Sequence, residues 1–171
     1  MTNSAFALDG FYPFEGPATV SLELIPLLVR YKLDCAEVKL HLQQWQALSI
    51  DERKRLVLQV CTSVEGVHQY RTLLNEIIDR HYAVVATPRP LSDNETWREL
   101  SRWPQAVMDQ CQRQAIALPP VERWQSLSEI DRHALFVLGR SKHAHQEFIA
   151  AMRLFFGDGK SVDPSLRRGE A

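Results

Sequence analysis

The phrase WQALSIDERKRL, Trp45 to Leu56, returns as WQSLSEIDRHAL, Trp124 to Leu135, with six of the twelve positions identical: Trp, Gln, Leu, Ser, Arg and Leu. A chain that writes one phrase twice must build one local structure twice, and this restricts its fold more than any other feature. The match extends upstream. IPLLVRYKLDCAEVKL (Ile25 to Leu40) lies on WPQAVMDQCQRQAIAL (Trp103 to Leu118) at an offset of 78, which puts Pro26 on Pro104, Val29 on Val107 and Val38 on Ile116. Pro119-Pro120 adds one residue, so the offset is 79 at the tryptophans. It is 78 again where VHQYRTLL (Val67 to Leu74) meets HQEFIAAM (His145 to Met152).

Each copy reads as three helices. A proline opens the first, because its missing N–H costs nothing at a helix start; the spacing predicts helices near 26–36 and 104–115. A V/I-x-L link and a short turn of helix bearing the tryptophan follow. Ser49 with Glu52, and Ser128 with Asp131, have capping-box spacing, so the repeated phrase is a helix N-terminus preceded by an aromatic. Second helices are expected near 50–60 and 129–138. Third helices are expected to be capped by Thr62 (with Glu65) and by Ser141. One face then carries Val67, Tyr70, Leu74, Ile77 and Ile78, and its counterpart Phe148, Ile149, Met152, Phe155 and Phe156, both at helical period. Gly157 marks a stop.

The fold class is therefore all-α: a single domain of about six main helices, built from two three-helix repeats with approximate two-fold symmetry. The expected divisions are an N-terminal arm at 1–24, repeat one at 25–82, a connector at 83–102, repeat two at 103–157 and a disordered tail at 158–171. In the connector, Pro88 and Pro90 break regular structure, Tyr82 to Val85 reads as extended, and Ser92 to Glu95 caps a short helix carrying Trp97 and Leu100. The apolar stripes of the two repeats are expected to pack face to face.

Charge narrows the function. Lys plus Arg number 20 against 21 Asp plus Glu. A balance this even disfavours a nucleic-acid-binding domain. No run of eighteen apolar residues spans a membrane, and the first residues lack the basic start of a secretory signal. Cys35, Cys61 and Cys111 form no CxxC and read as reduced thiols of a cytoplasmic protein. A nucleophile could be Cys35 or Cys61; Cys61 lies just before a helix start, where the dipole would lower a thiol pKa, and a small buried residue filling a turn is the alternative. His143 and His145 fall on different helix faces, and His41, His68, His81 and His133 lack partners at metal-ligand spacing. Gly-rich phosphate loops and hydrolase elbows are absent from the sequence. No metal and no cofactor are expected.

The first helix carries Arg30, Lys32 and Asp34, with Lys39 soon after. Arg30 and Asp34 are spaced to pair along one face, whereas Arg30, Lys32 and Lys39 together would make a basic edge for an acidic partner. Copy two has Met108, Gln110 and Ala117 at the three basic positions, so the edge is not needed to build the repeat.

YPFEG (Tyr12 to Gly16), the V-R-x-K-L-D run from Val29 to Asp34 with V-K-L at Val38 to Leu40, ERKRLV (Glu52 to Val57), and Arg140, His143 and Phe148 in GRSKHAHQEF together resemble the nitrate reductase associated protein family, over roughly residues 11 to 156. Matching positions are Arg30, Lys32, Asp34, Lys39, Trp45, Arg53, Arg140 and His143. The resemblance implies a small helical accessory or maturation factor for assimilatory nitrate reductase, a molybdenum and iron–sulfur enzyme. It also implies contact residues among Arg30, Lys32, Asp34, Lys39, Arg53, Arg140 and His143. Glu37 departs from the pattern, standing where the family tends to have glycine, and so do Ala144 and His145, which replace a more polar pair. The expected function is thus non-catalytic and works by protein contact. The alternatives are a small-molecule or metal-binding helical protein with its site between the repeats, and an enzyme using Cys61 or His143.

Overall fold

A computed structural model of the chain describes residues 10–81, 87–88 and 96–157. Its helices are α1 (Pro17–Val20), α2 (Leu27–Cys35), α3 (Leu42–Ala47), α4 (Ile50–Leu58), α5 (Val64–Arg80), α6 (Gln105–Arg113), α7 (Val121–Gln125), α8 (Glu129–Arg140) and α9 (His145–Phe156). A 3-10 turn covers Thr96–Arg98. Strand β1 (Val38–Lys39) meets β2 (Thr87–Pro88) in a two-residue antiparallel bridge, Val38 opposite Pro88. The rest of the described chain is helix and loop, as the patterning predicts. The expected extended run at 82–85, the cap at 92–95 and the tail at 158–171 lie outside the described residues.

The six shared positions of the repeated phrase make the same bonds in both copies. The indole N–H of Trp45 donates to the carbonyl of Leu22 at 2.8 Å, and that of Trp124 to Glu99, also at 2.8 Å. The next residue repeats the move: Gln46 Nε2 donates to the carbonyl of Glu23, and Gln125 Nε2 to that of Leu100. Ser49 and Ser128 cap α4 and α8 by accepting the N–H of Glu52 and Asp131. Arg53 and Arg132 each return a guanidinium to a leucine carbonyl of the phrase, Leu48 and Leu127. Leu56 and Leu135 are fully buried. Each identity therefore serves the corner where a short helix turns into a longer one.

Both first helices end alike too. Glu37 (φ 56°) and its counterpart Ala115 (φ 53°) sit in the left-handed region that terminates α2 and α6. For a residue with a Cβ this conformation costs about 1–2 kcal/mol, and glycine is the residue that adopts it freely. Glu37→Gly is expected to stabilise the protein by about 1 kcal/mol. The urea midpoint should rise with the slope of the transition unchanged.

Three local expectations are corrected. Ser63, not Thr62, caps α5, accepting the N–H of Gly66 at 3.0 Å. Ser141 does not cap α9, whose N-cap is Ala144; instead its hydroxyl accepts the N–H groups of His143 and Ala144 in the preceding turn. The segment read as an arm also holds α1, and it does more than trail. Glu15 accepts the N–H groups of both Tyr12 and Leu27 at 2.8 Å, tying the segment to the start of α2.

The packing of the copies is corrected as well. The stripes do not bury against each other. One cluster of buried apolar residues, from Leu22 to Ile78, is drawn wholly from the first copy. The other runs from Trp97 to Met152 and adds Tyr12 and Leu27 from upstream, with half-buried Phe14 and Tyr31 packed against it. Short elements help each copy close largely over its own stripe: α3 adds Trp45 to the first cluster, and the 3-10 turn and α7 add Trp97 and Trp124 to the second. Within the second copy, α6 and α8 cross closely enough that a Cβ on Gly139 would lie 3.0 Å from the carbonyl oxygen of Ala106.

The halves meet where α2 packs on α8. His133, fully buried, shares a 2.8 Å bond between its Nε2 and Asp34 Oδ2. The ring of Tyr31 stands edge-on to those of Trp97 and His133 at 5.8 and 5.5 Å. Tyr12 reaches across to donate its hydroxyl to Asp131 at 2.8 Å, and burial beside that carboxylate pushes its pKa far up.

Candidate functional site: a basic groove at the seam

The seam between the halves opens into a groove of about 760 Å³. Helix α2 contributes Arg30, Leu33 and Asp34; β1 and the residues after it contribute Val38, Lys39 and Leu40; the end of α8 contributes Phe136, Val137 and Arg140. Leu33, Val38, Leu40 and Phe136 are buried and form an apolar floor. Arg30, Lys39 and Arg140 are exposed at the rim. The two arginines are held in place: Arg30 Nε donates to the carbonyl of Ile25 at 3.2 Å, and the Arg140 guanidinium lies 5.3 Å from the centre of the Phe136 ring. Asp34 contributes the acid of the lining, with one oxygen engaged by His133.

Four of the seven residues read from the sequence as contact positions thus converge here: Arg30, Asp34, Lys39 and Arg140. The other three do not. Lys32 is only 5% exposed; it turns inward and donates from Nζ to the carbonyl of Val57 at 2.6 Å, at the end of α4. Burial pushes its pKa down from 10.5 to about 8. It is therefore no part of a basic edge. Arg53 donates to the carbonyls of Leu48, Leu22 and Gln46, so its guanidinium is committed to the tryptophan corner. His143 is exposed in the turn between α8 and α9, two residues past Ser141 at the groove wall.

The candidate thiol behaves opposite to an activated nucleophile. Cys61 is buried, and burial pushes its pKa up to about 11. Cys35 is also raised, chiefly by burial, with the Tyr31 hydrogen bond acting the other way. Among the described residues no group of three or more His, Cys, Asp or Glu side chains is placed to hold a metal ion, and no helix is long and apolar enough to cross a membrane.

Sequence reasoning missed the contribution of α8 to the groove floor and the Asp34–His133 bond. Phe136 reads as one more apolar residue of an amphipathic helix, and His133 has no local partner. Both acquire their roles only when α8 is laid against α2, 99 residues away in the case of His133 and Asp34.

Comparison with known proteins gives one match. The model of a family described as "Conserved nitrate reductase-associated protein" fits residues 11–155. No curated protein and no solved structure matches the chain.

Proposed function

This chain belongs to the conserved nitrate reductase-associated protein family, and from that premise we propose that it is a non-catalytic accessory protein of assimilatory nitrate reductase. It acts in the cytoplasm, in the maturation or upkeep of the enzyme, by direct contact through the seam groove. The observation that carries this reading is the convergence of Arg30, Lys39 and Arg140, from both halves, on one concave face. Clustered like charges on an exposed surface steer and orient a partner of opposite charge. None of the three is required by the repeated module, whose other copy has Met108, Ala117 and Cys61 at the corresponding places.

Capture of the cognate reductase by the tagged chain tests the reading. Wild type is expected to retain the enzyme. Arg30→Glu combined with Arg140→Glu should lower the affinity by roughly a hundredfold, about 1.4 kcal/mol for each reversed charge. No retention of reductase by the wild-type chain would sink the proposal. Lys32→Glu is unsuitable as a surface probe, because Lys32 is buried.

A second reading is a small organic anion in the same groove. Its support is the volume, which lies within the range of small-molecule sites, roughly 300–1,000 Å³. Native mass spectrometry of the purified chain separates the two: a stable adduct favours the small ligand, and a bare mass leaves the protein contact.

A further inference from the structure

We propose that the groove receives an extended acidic segment of the partner chain, seating an apolar side chain on the floor between carboxylates held at the rim. This rests on the contact reading above and names the chemistry of what is contacted. The floor of Leu33, Val38, Leu40 and Phe136 offers an apolar side chain a dry seat. The rim bears three cations; Arg30 already feels the carboxylates of Glu15 and Asp34, whereas among the described residues no carboxylate lies within ion-pair distance of Lys39 or Arg140, the two that carry the charge complementarity. The acid in the lining, Asp34, is bonded to His133.

The two guanidiniums are preorganised. Arg140 is laid against the Phe136 ring, and Arg30 is fixed through its Nε. Less side-chain freedom is then lost when a carboxylate is gripped, and the planar fork of arginine matches a carboxylate in two parallel bonds. The groove is open to solvent rather than enclosed. A chain laid along it can enter and leave sideways, and its backbone polar groups stay wet. The cations stand on separate elements, α2, β1 and the end of α8, so a ligand that satisfies all three must run across the seam. An extended segment of several residues has that reach.

Overlapping fifteen-residue peptides covering the cognate nitrate reductase sequence provide the probe, with binding read by fluorescence anisotropy. Peptides that bind are expected to carry at least two carboxylates around an apolar residue. Their affinity should fall about tenfold for Lys39→Glu and for Arg140→Glu, and should weaken with rising salt. Lys142→Glu, exposed and outside the groove, should leave it unchanged; circular dichroism of each variant confirms that the fold is kept. If wild type captures the intact reductase but binds no acidic peptide, the acidic segment is overturned and the accessory role stands. Equal binding by Arg140→Glu also overturns it. If the intact reductase is not captured at all, the parent reading falls and this one falls with it.

Discussion

Replacing Lys32 with glutamate is expected to destabilise the protein by about 3–5 kcal/mol, a large share of the roughly 5–15 kcal/mol that holds an ordinary domain folded. The ammonium of Lys32 sits at the C-terminal end of α4, where unpaired carbonyls concentrate negative charge. It donates to the carbonyls of Val57 at 2.6 Å and Leu56 at 3.4 Å. Glutamate would bring a carboxylate to face those same oxygens, without a donor and without water. Lys32→Met keeps the volume and removes the charge, so it should cost less, about 1–3 kcal/mol for the carbonyls left without their donor. Urea denaturation of both variants measures the difference. A Lys32→Glu protein as stable as wild type would mean that the side chain lies in solvent after all.

The same residue has a pH signature. Its pKa is pushed down from 10.5 to about 8, so between those values the unfolded chain binds more protons at this site than the folded chain does. The stability Lys32 confers therefore rises with pH across that window. Burial raises the pKa of Cys61 and Cys111 to about 11, which lowers stability as the solution turns alkaline and opposes the rise. The difference between wild type and Lys32→Met isolates the lysine: the gap between their stabilities should shift in favour of wild type from pH 8 to pH 10.

Trp124→Ala is expected to cost about 3–5 kcal/mol, and Trp45→Ala a similar amount. Both indoles are fully buried, and each bridges to the backbone of a segment about 25 residues upstream. Alanine removes the aromatic volume and the indole donor; the Leu22 carbonyl keeps Arg53 as a donor, and the Glu99 carbonyl is only partly buried. Trp124 also stacks at a tilt on Trp103, with ring centres 5.0 Å apart. Trp124→Phe should recover most of the packing and lose mainly the hydrogen bond, about 1 kcal/mol. Thermal unfolding of the three variants tests the equivalence of the two corners: a large loss at one tryptophan and none at the other would refute it.

Much of this architecture was legible in the sequence, because the module is made of short-range chemistry. Capping serines, helix-opening prolines and the apolar stripes of α5 and α9 all act within a few residues, and periodicity exposes them. The left-handed backbone at Glu37 is not legible in the sequence, since a glutamate gives no local sign of it. What sequence could not give was the meeting of the halves. Lys32 and Arg30 look alike in a helix of mixed charge, yet one faces the end of α4 and the other the groove. Position on a helical wheel cannot decide which neighbour a face will meet. Nor could the spacing reveal that short elements complete each half, leaving α2 and α8 to form the joint.

That joint has a mechanical consequence. Leu27 and Tyr31 of α2 pack into the second interior while Val29 and Leu33 of the same helix pack into the first, so the halves share α2 and a change of angle between them would have to unpack it. The groove takes its walls from both sides of that shared helix, so its shape is held by the packing beneath it. A ligand that fits then meets walls already in place, and little is lost to ordering them. The Tyr12 hydroxyl on Asp131, remote in sequence from Arg30 and Arg140, is a further tie across the joint.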